Sequence, residues 1–193
     1  MNSTARISPM RQSRITEVSP DFKARIAGVF YVINTVTSIE AMYGSNHRLA
    51  FVSGLIATAS YIAVTVIFYY LFKPVSRNLS LVAALFSLAG CADGFFSSVH
   101  LLSLPVNLLV FYGFYCVLIG YLILRSTFLP GFLGVLMVLA GLGYLTLLSP
   151  PLGKYLIPYN YIPGGVGEGL LTLWLLVKGV DAQRWKEQEA SVS

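Results

Sequence analysis

An all-α integral membrane bundle of six transmembrane helices, with the N- and C-termini in the cytoplasm, is the fold the sequence predicts. Three observations carry it. The 193 residues are 56% hydrophobic and only 11% charged, with a mean hydropathy of +0.73, which lies outside the range of ordinary soluble domains. Six apolar stretches follow one another, each near the roughly 20 residues a helix needs to cross a bilayer. Eleven of the thirteen Lys and Arg residues then fall on one side of the alternating path, and the bias of cations toward cytoplasmic loops makes that the inner side.

Residues 1–24 are polar, with Arg6, Arg11, Arg14 and Lys23, and contain no apolar run followed by a cleavage site, so no removable signal peptide is expected. The first crossing is read at 26–43, ended by the polar turn Gly44-Ser45-Asn46-His47. The second occupies 49–72 and stops at Lys73-Pro74, because proline cannot continue a helix and cations resist translocation. The third covers 79–99. A turn at 100–104 leads to Pro105, suited to the first position of a fourth helix that ends near Leu124. Arg125-Ser126-Thr127 turns the chain into a fifth crossing at 128–148, which Pro150-Pro151 ends. A loop rich in Pro, Gly and Tyr at 152–162 precedes the sixth, at 163–180. The organisation is thus a cytoplasmic polar tail (1–24), a six-helix transmembrane domain (25–180) and a cytoplasmic tail (181–193).

Arg48 and Lys154 alone take the outer side. Trp185, Tyr43, Tyr159 and Tyr161, near segment ends, suit the headgroup region. The formal charge of +5 is no nucleic-acid signature, because the basic residues flank apolar stretches; their partners are membrane lipids, anionic ones above all. Cys91 and Cys116 lie inside apolar stretches without a C-x-x-C spacing and read as buried, unreactive thiols. A shift of 51 positions pairs Tyr61 with Tyr112, Tyr70 with Tyr121 and Ala89-Gly90 with Ala140-Gly141, which is either a duplicated hairpin or a coincidence of an apolar alphabet.

Carboxylates at bilayer depth are costly, and are expected to face the bundle interior and to be paired. Glu40 sits near the outer end of the first helix, within reach of headgroup water. Asp93 and Glu168 both lie in the outer half at comparable depth. Asp93, Ser97 and His100 follow an i, i+4, i+7 spacing, a polar stripe on one face of the third helix. Around Glu168 the chain reads Pro163-Gly164-Gly165-Val166-Gly167-Glu168-Gly169, and Gly165 with Gly169 has the small-xxx-small spacing that lets backbones approach. Two readings stand side by side: an outward-facing pocket between the third and sixth helices walled by Asp93, Ser97, His100 and Glu168, or carboxyls that only lock the helices together.

Residue counts set several chemistries aside. The chain has two His, His47 and His100, and neither H-E-x-x-H nor G-x-S-x-G. His100, Asp93 and Glu168 are metal-ligating types, but nothing fixes them in register, so no metal and no cofactor is assigned. For nucleophilic catalysis only Ser97 and Ser98 lie near His100, and a serine in a membrane helix usually bonds its own backbone.

Four stretches together resemble a family of bacterial six-helix membrane proteins catalogued as domain of unknown function 4386. They are Arg25-Ile26-Ala27-Gly28-Val29-Phe30-Tyr31; Tyr70-Leu71-Phe72-Lys73-Pro74-Val75; Gly120-Tyr121-Leu122-Ile123-Leu124-Arg125-Ser126 running to Gly141-Leu142-Gly143-Tyr144-Leu145; and Gly167-Glu168-Gly169 with Leu173-Trp174-Leu175-Leu176-Val177-Lys178-Gly179. The resemblance implies six helices in the cell (inner) membrane and marks Glu168, Trp174 and Arg125 as motif positions. It implies no activity. The reading that follows is a multi-pass protein that binds or transports a small ligand or cation through the outer pocket. A non-catalytic scaffold or accessory subunit is the alternative, and an intramembrane enzyme comes last. Nothing in the sequence speaks to oligomeric state.

Overall fold

The computed structural model describes residues 19–98 and 107–191. Among them the chain is helical throughout, in elements we number α1 (Pro20–Tyr43), α2 (His47–Phe72), α3 (Arg77–Ser98), α4 (Leu108–Arg125), α5 (Gly131–Leu145), α6 (Pro150–Leu156), α7 (Ile162–Val177) and α8 (Ala182–Ala190). Five of these are long and apolar enough to cross a membrane: α1 to α4, and α5 together with the 3-10 turn Thr146–Leu148 that extends it. The protein is therefore a multi-pass membrane protein. The sixth expected crossing, α7, has 16 residues and spans roughly 24 Å at 1.5 Å per residue. It falls short of the hydrocarbon thickness unless the bilayer thins or flanking residues snorkel.

Local chemistry sets the helix starts. Ser19 Oγ accepts from Phe22 N at 3.2 Å, with Pro20 at the first position and Asp21 in the first turn, so α1 begins at Pro20 rather than at 26. Asn46 Oδ1 accepts from Arg48 N and Leu49 N, and caps α2. Asn107 Oδ1 accepts from Leu109 N at 3.0 Å and starts α4 at Leu108. The start expected at Pro105 lies outside the described residues. The loop expected at 152–162 contains α6 and the 3-10 turn Tyr159–Tyr161.

Each long helix packs on the next, and α7 packs on both α5 and α1, which closes the six into a ring in the order α1, α2, α3, α4, α5, α7. The α4–α5 contact is the closest. Gly113 lies against the Gly141 carbonyl and Gly120 against the Gly134 carbonyl, so that four glycines spaced by seven let the two backbones touch. On the side of the basic loops the ring is filled by Phe68, Leu71, Phe72, Ile119, Leu122, Ile123, Leu171 and Leu175. Higher up, Tyr31 packs on Tyr61 and Phe68, and Tyr61 meets Tyr112 edge to face at 4.9 Å, bringing together the two tyrosines that the 51-residue shift pairs.

The base is sealed by chain from outside the spans. Asp181 caps α8, accepting from Gln183 N and Arg184 N, and α8 turns back under the ring. There Trp185, 6% exposed, donates from Nε1 to the Leu71 carbonyl at 2.8 Å and sits in one cluster with Phe72, Phe128 and Val180. Within the expected tail, residues 182–190 form a helix, and Trp185 packs on the helix ends: an indole has apolar area to bury, and its N–H found an unpaired helix-end carbonyl. Arg25 ties the other side. It pairs with Asp21 at 3.0 Å and donates to the carbonyls of Leu176 and Val177 at the end of α7, while Asp21 Oδ1 accepts from Val180 N. Gly179, at φ +66°, makes the turn that lets the chain pass so close to Asp21.

Candidate functional site

At the end of the ring away from the basic loops the helices surround a half-open chamber of about 530 Å³. It exists because the side chains there are small. Ala41, Gly54, Ala57 and Gly94 line it where the opposite end carries Phe and Leu, and a Cβ added at Gly94 would meet nothing within 4 Å. Asn34, Thr35, Ser38 and Met42 come from α1, Thr58 and Tyr61 from α2, Leu108, Leu109 and Tyr112 from α4, Tyr144 from α5 and Glu168 from α7. The wall is mostly apolar with a few convergent hydroxyls, one amide and one carboxyl, the make-up of a small-molecule site.

Glu168 is the one ionisable carboxyl on that wall. It stands near the start of α7, where Gly164 lets the Tyr144 ring lie directly on the helix and Gly167 packs on the Leu136 carbonyl of α5. Tyr144 Oη donates to Glu168 Oε1 at 3.2 Å, and Cys116 Sγ donates to the same oxygen at 3.7 Å. Among the described residues no Lys or Arg pairs with it, and the two salt bridges, Asp21–Arg25 and Asp181–Arg184, lie at the other end. Oε2 is left without a protein donor among the described residues, at the edge of a cavity. A carboxylate there favours a cationic or hydrogen-bond-donating guest.

The sequence-derived residues distribute unevenly about this chamber. Glu168 lines it. Asp93 does not: it is buried on α3 at 9% exposure and engaged in an interaction of its own, while its neighbour Gly94 faces the cavity. In the ring α3 and α7 stand on opposite sides, so the space is a central chamber shared by six helices rather than a cleft between two. Ser97 lies in the last turn of α3, and His100 falls outside the described residues. Gly165 and Gly169, expected to bring helices together, face open space; the close contacts are made by Gly164 and Gly167. Helix rotation decided this, and spacing alone carries no phase. Trp174 packs edge to face on Phe132 of α5, and the Arg125 guanidinium lies 5.9 Å from the Tyr121 ring, so both serve helix ends and contacts away from the chamber.

Sequence reasoning missed Asn34, Thr58, Tyr61, Tyr112 and Tyr144 as wall residues, and Cys116 as a partner of Glu168. Tyrosines in mid-span were the available signal, since a phenol at bilayer depth needs a partner. No group of three or more His, Cys, Asp or Glu side chains able to hold a metal occurs among the described residues.

Comparison with known proteins bears on the same region. A family model described as domain of unknown function (DUF4386) matches residues 96–179, which run from the end of α3 through α7 and include Glu168. An uncharacterized protein of Archaeoglobus fulgidus is 30% identical over 129 residues, covering 61% of this chain and 76% of that relative. No solved structure matches.

Proposed function

We propose, for a chain that belongs to the family described as domain of unknown function (DUF4386), that the chamber binds a small amphiphilic cation and that Glu168 is the residue that holds its charge. The observation that carries the reading is a carboxyl with two weak protein donors and no cationic partner among the described residues, set on the wall of a largely apolar cavity. A guest with an apolar body and one positive head satisfies both parts of that wall at once. The sealed base supports binding, or transport by alternating access, over a continuous channel, because Phe68, Phe72 and Trp185 fill the path below. The orientation belongs to the same proposal. Six crossings, with α7 as the short sixth, place both ends and the basic loops on the cytoplasmic side of the cell (inner) membrane, and turn the chamber outward.

The two bonds that Glu168 accepts from α4 and α5 favour the alternative, a carboxyl that locks three helices together in a scaffold. Binding of tetraphenylphosphonium to the protein in lipid nanodiscs, measured by equilibrium dialysis, separates them. Glu168→Gln should weaken binding about tenfold or more, equivalent to at least ~1.4 kcal/mol, while the melting temperature stays within a few degrees. No binding by the unaltered protein, or equal binding by the variant, removes the proposed role of Glu168.

A further inference from the structure

Beside the chamber, around the outer turns of α2, lies a second cavity of about 320 Å³, and three residues, Ala41, Gly54 and Thr58, belong to the walls of both. We propose that this side cavity is a lateral portal through which a single-chain cationic amphiphile dissolved in the bilayer enters the chamber; the proposal rests on the chamber being a binding site.

The wall of the side cavity is ordered by depth. His47, the first residue of α2, stands at the end of its span, whereas Phe51, Leu55 and Phe95 lie further in and are 44%, 37% and 40% exposed. In a bilayer those three side chains are covered by acyl chain, so the cavity opens onto lipid, with a polar residue at headgroup level and apolar residues beneath. That is the profile of a single-chain amphiphile. A route fully through water would need no apolar mouth.

The partition between the two cavities is made of small residues, Ala41, Gly54 and Thr58. A Cβ added at Gly54 would meet only Ala41 Cβ, at 3.8 Å. Small residues on membrane helices ordinarily bring backbones into contact, as Gly113 and Gly141 do in this same ring, where a Cβ added at either would lie 3.1 Å or less from the other's carbonyl oxygen. At Gly54 an added Cβ would instead make only ordinary contact with Ala41, so the gap between α1 and α2 there is about one methyl group wide. Beyond that gap a guest reaches the hydroxyl of Thr58 first and the carboxyl of Glu168 on the chamber wall.

The test uses the protein in nanodiscs and an undecyl trimethylammonium probe with a dansyl group in its chain, followed by stopped-flow fluorescence. Ala50→Trp fills the side cavity without touching the chamber wall, and should slow entry and exit alike by about tenfold while leaving the equilibrium Kd within a factor of about three. Phe51→Ala, at a lipid-exposed position, should speed both. Glu168→Gln should raise Kd. Exchange rates unchanged in both portal variants, with Kd still dependent on Glu168, overturn the portal and leave the chamber. Absence of probe binding in the unaltered protein overturns both. Should Ala50→Trp fail to fold, Phe51→Ala decides alone.

Discussion

Gly141→Ala should loosen the α4–α5 contact, and Gly169→Ala, on α7, should not. At Gly141 the added Cβ would lie 2.6 Å from the Gly113 carbonyl oxygen and 2.8 Å from the Val117 amide nitrogen, both backbone atoms. Ordinary carbon-to-oxygen contacts fall at about 3.3 Å or more, so the helices must part by roughly 0.7 Å. No rotamer relieves it. The movement also opens the Gly120–Gly134 contact two turns along the same helices, where an added Cβ would sit 2.7 Å from the opposite carbonyl. Overpacking of this kind costs about 1–3 kcal/mol, which corresponds to a fall in Tm on the order of 4–8 °C for the middle of that range. Gly169 has nothing within 4 Å of a new Cβ, so alanine there removes only the helix penalty of glycine and should stabilise by up to ~1 kcal/mol. The assay is thermal unfolding in detergent, followed by circular dichroism, of the two variants side by side. Shifts of the same sign and size would refute the reasoning, because they would show that the added methyl at Gly141 meets no backbone.

Two further outcomes are expected. Trp185→Ala should lower stability by about 3 kcal/mol through the lost indole burial, while Trp185→Phe should cost only about 1 kcal/mol by leaving the Leu71 carbonyl unpaired; melting curves, with limited proteolysis of the segment joining α7 to α8, read both, and an Ala variant as stable and protected as the parent would count against the sealed base. For orientation, cysteines placed at Tyr155, 83% exposed on α6, and at Glu189 on α8 should react with an impermeant maleimide from opposite sides of right-side-out vesicles, the buried Cys91 and Cys116 staying unlabelled. Labelling of both from one side would remove the six-crossing topology.

How much of this was legible beforehand differs by level. Runs of apolar residues near bilayer length, interrupted by Lys73-Pro74 and by Arg125-Ser126, determine that the chain is a set of membrane helices, since only a helix satisfies its backbone in lipid within a single continuous apolar run. Caps were equally local: Ser19-Pro20-Asp21 and Asn107 carry their own helix starts, even where the hydropathy boundary suggested another residue. Glu168 stood out too, because a carboxyl in such a run must face the interior and find a partner, whether as a site or as a lock.

Helix rotation was not legible, and the chamber follows from rotation. In a soluble bundle the polar stripe of each helix tells which side faces water, but lipid is as apolar as a protein core, so the inward and outward faces of α4, α5 and α7 have nearly the same composition. Gly164 and Gly167 rather than Gly165 and Gly169 meet α5 because of how α7 turns against its neighbours, a matter of one residue in phase. The same holds for Trp185. Its position in the chain lies at a membrane boundary, and only the return of α8 beneath the ring, onto a free carbonyl at Leu71, turns an interfacial residue into part of the core. Tyr61, Tyr112, Tyr144 and Glu168 come from four helices far apart in sequence, and they share a wall because the ring closes between α7 and α1, a contact no local pattern encodes.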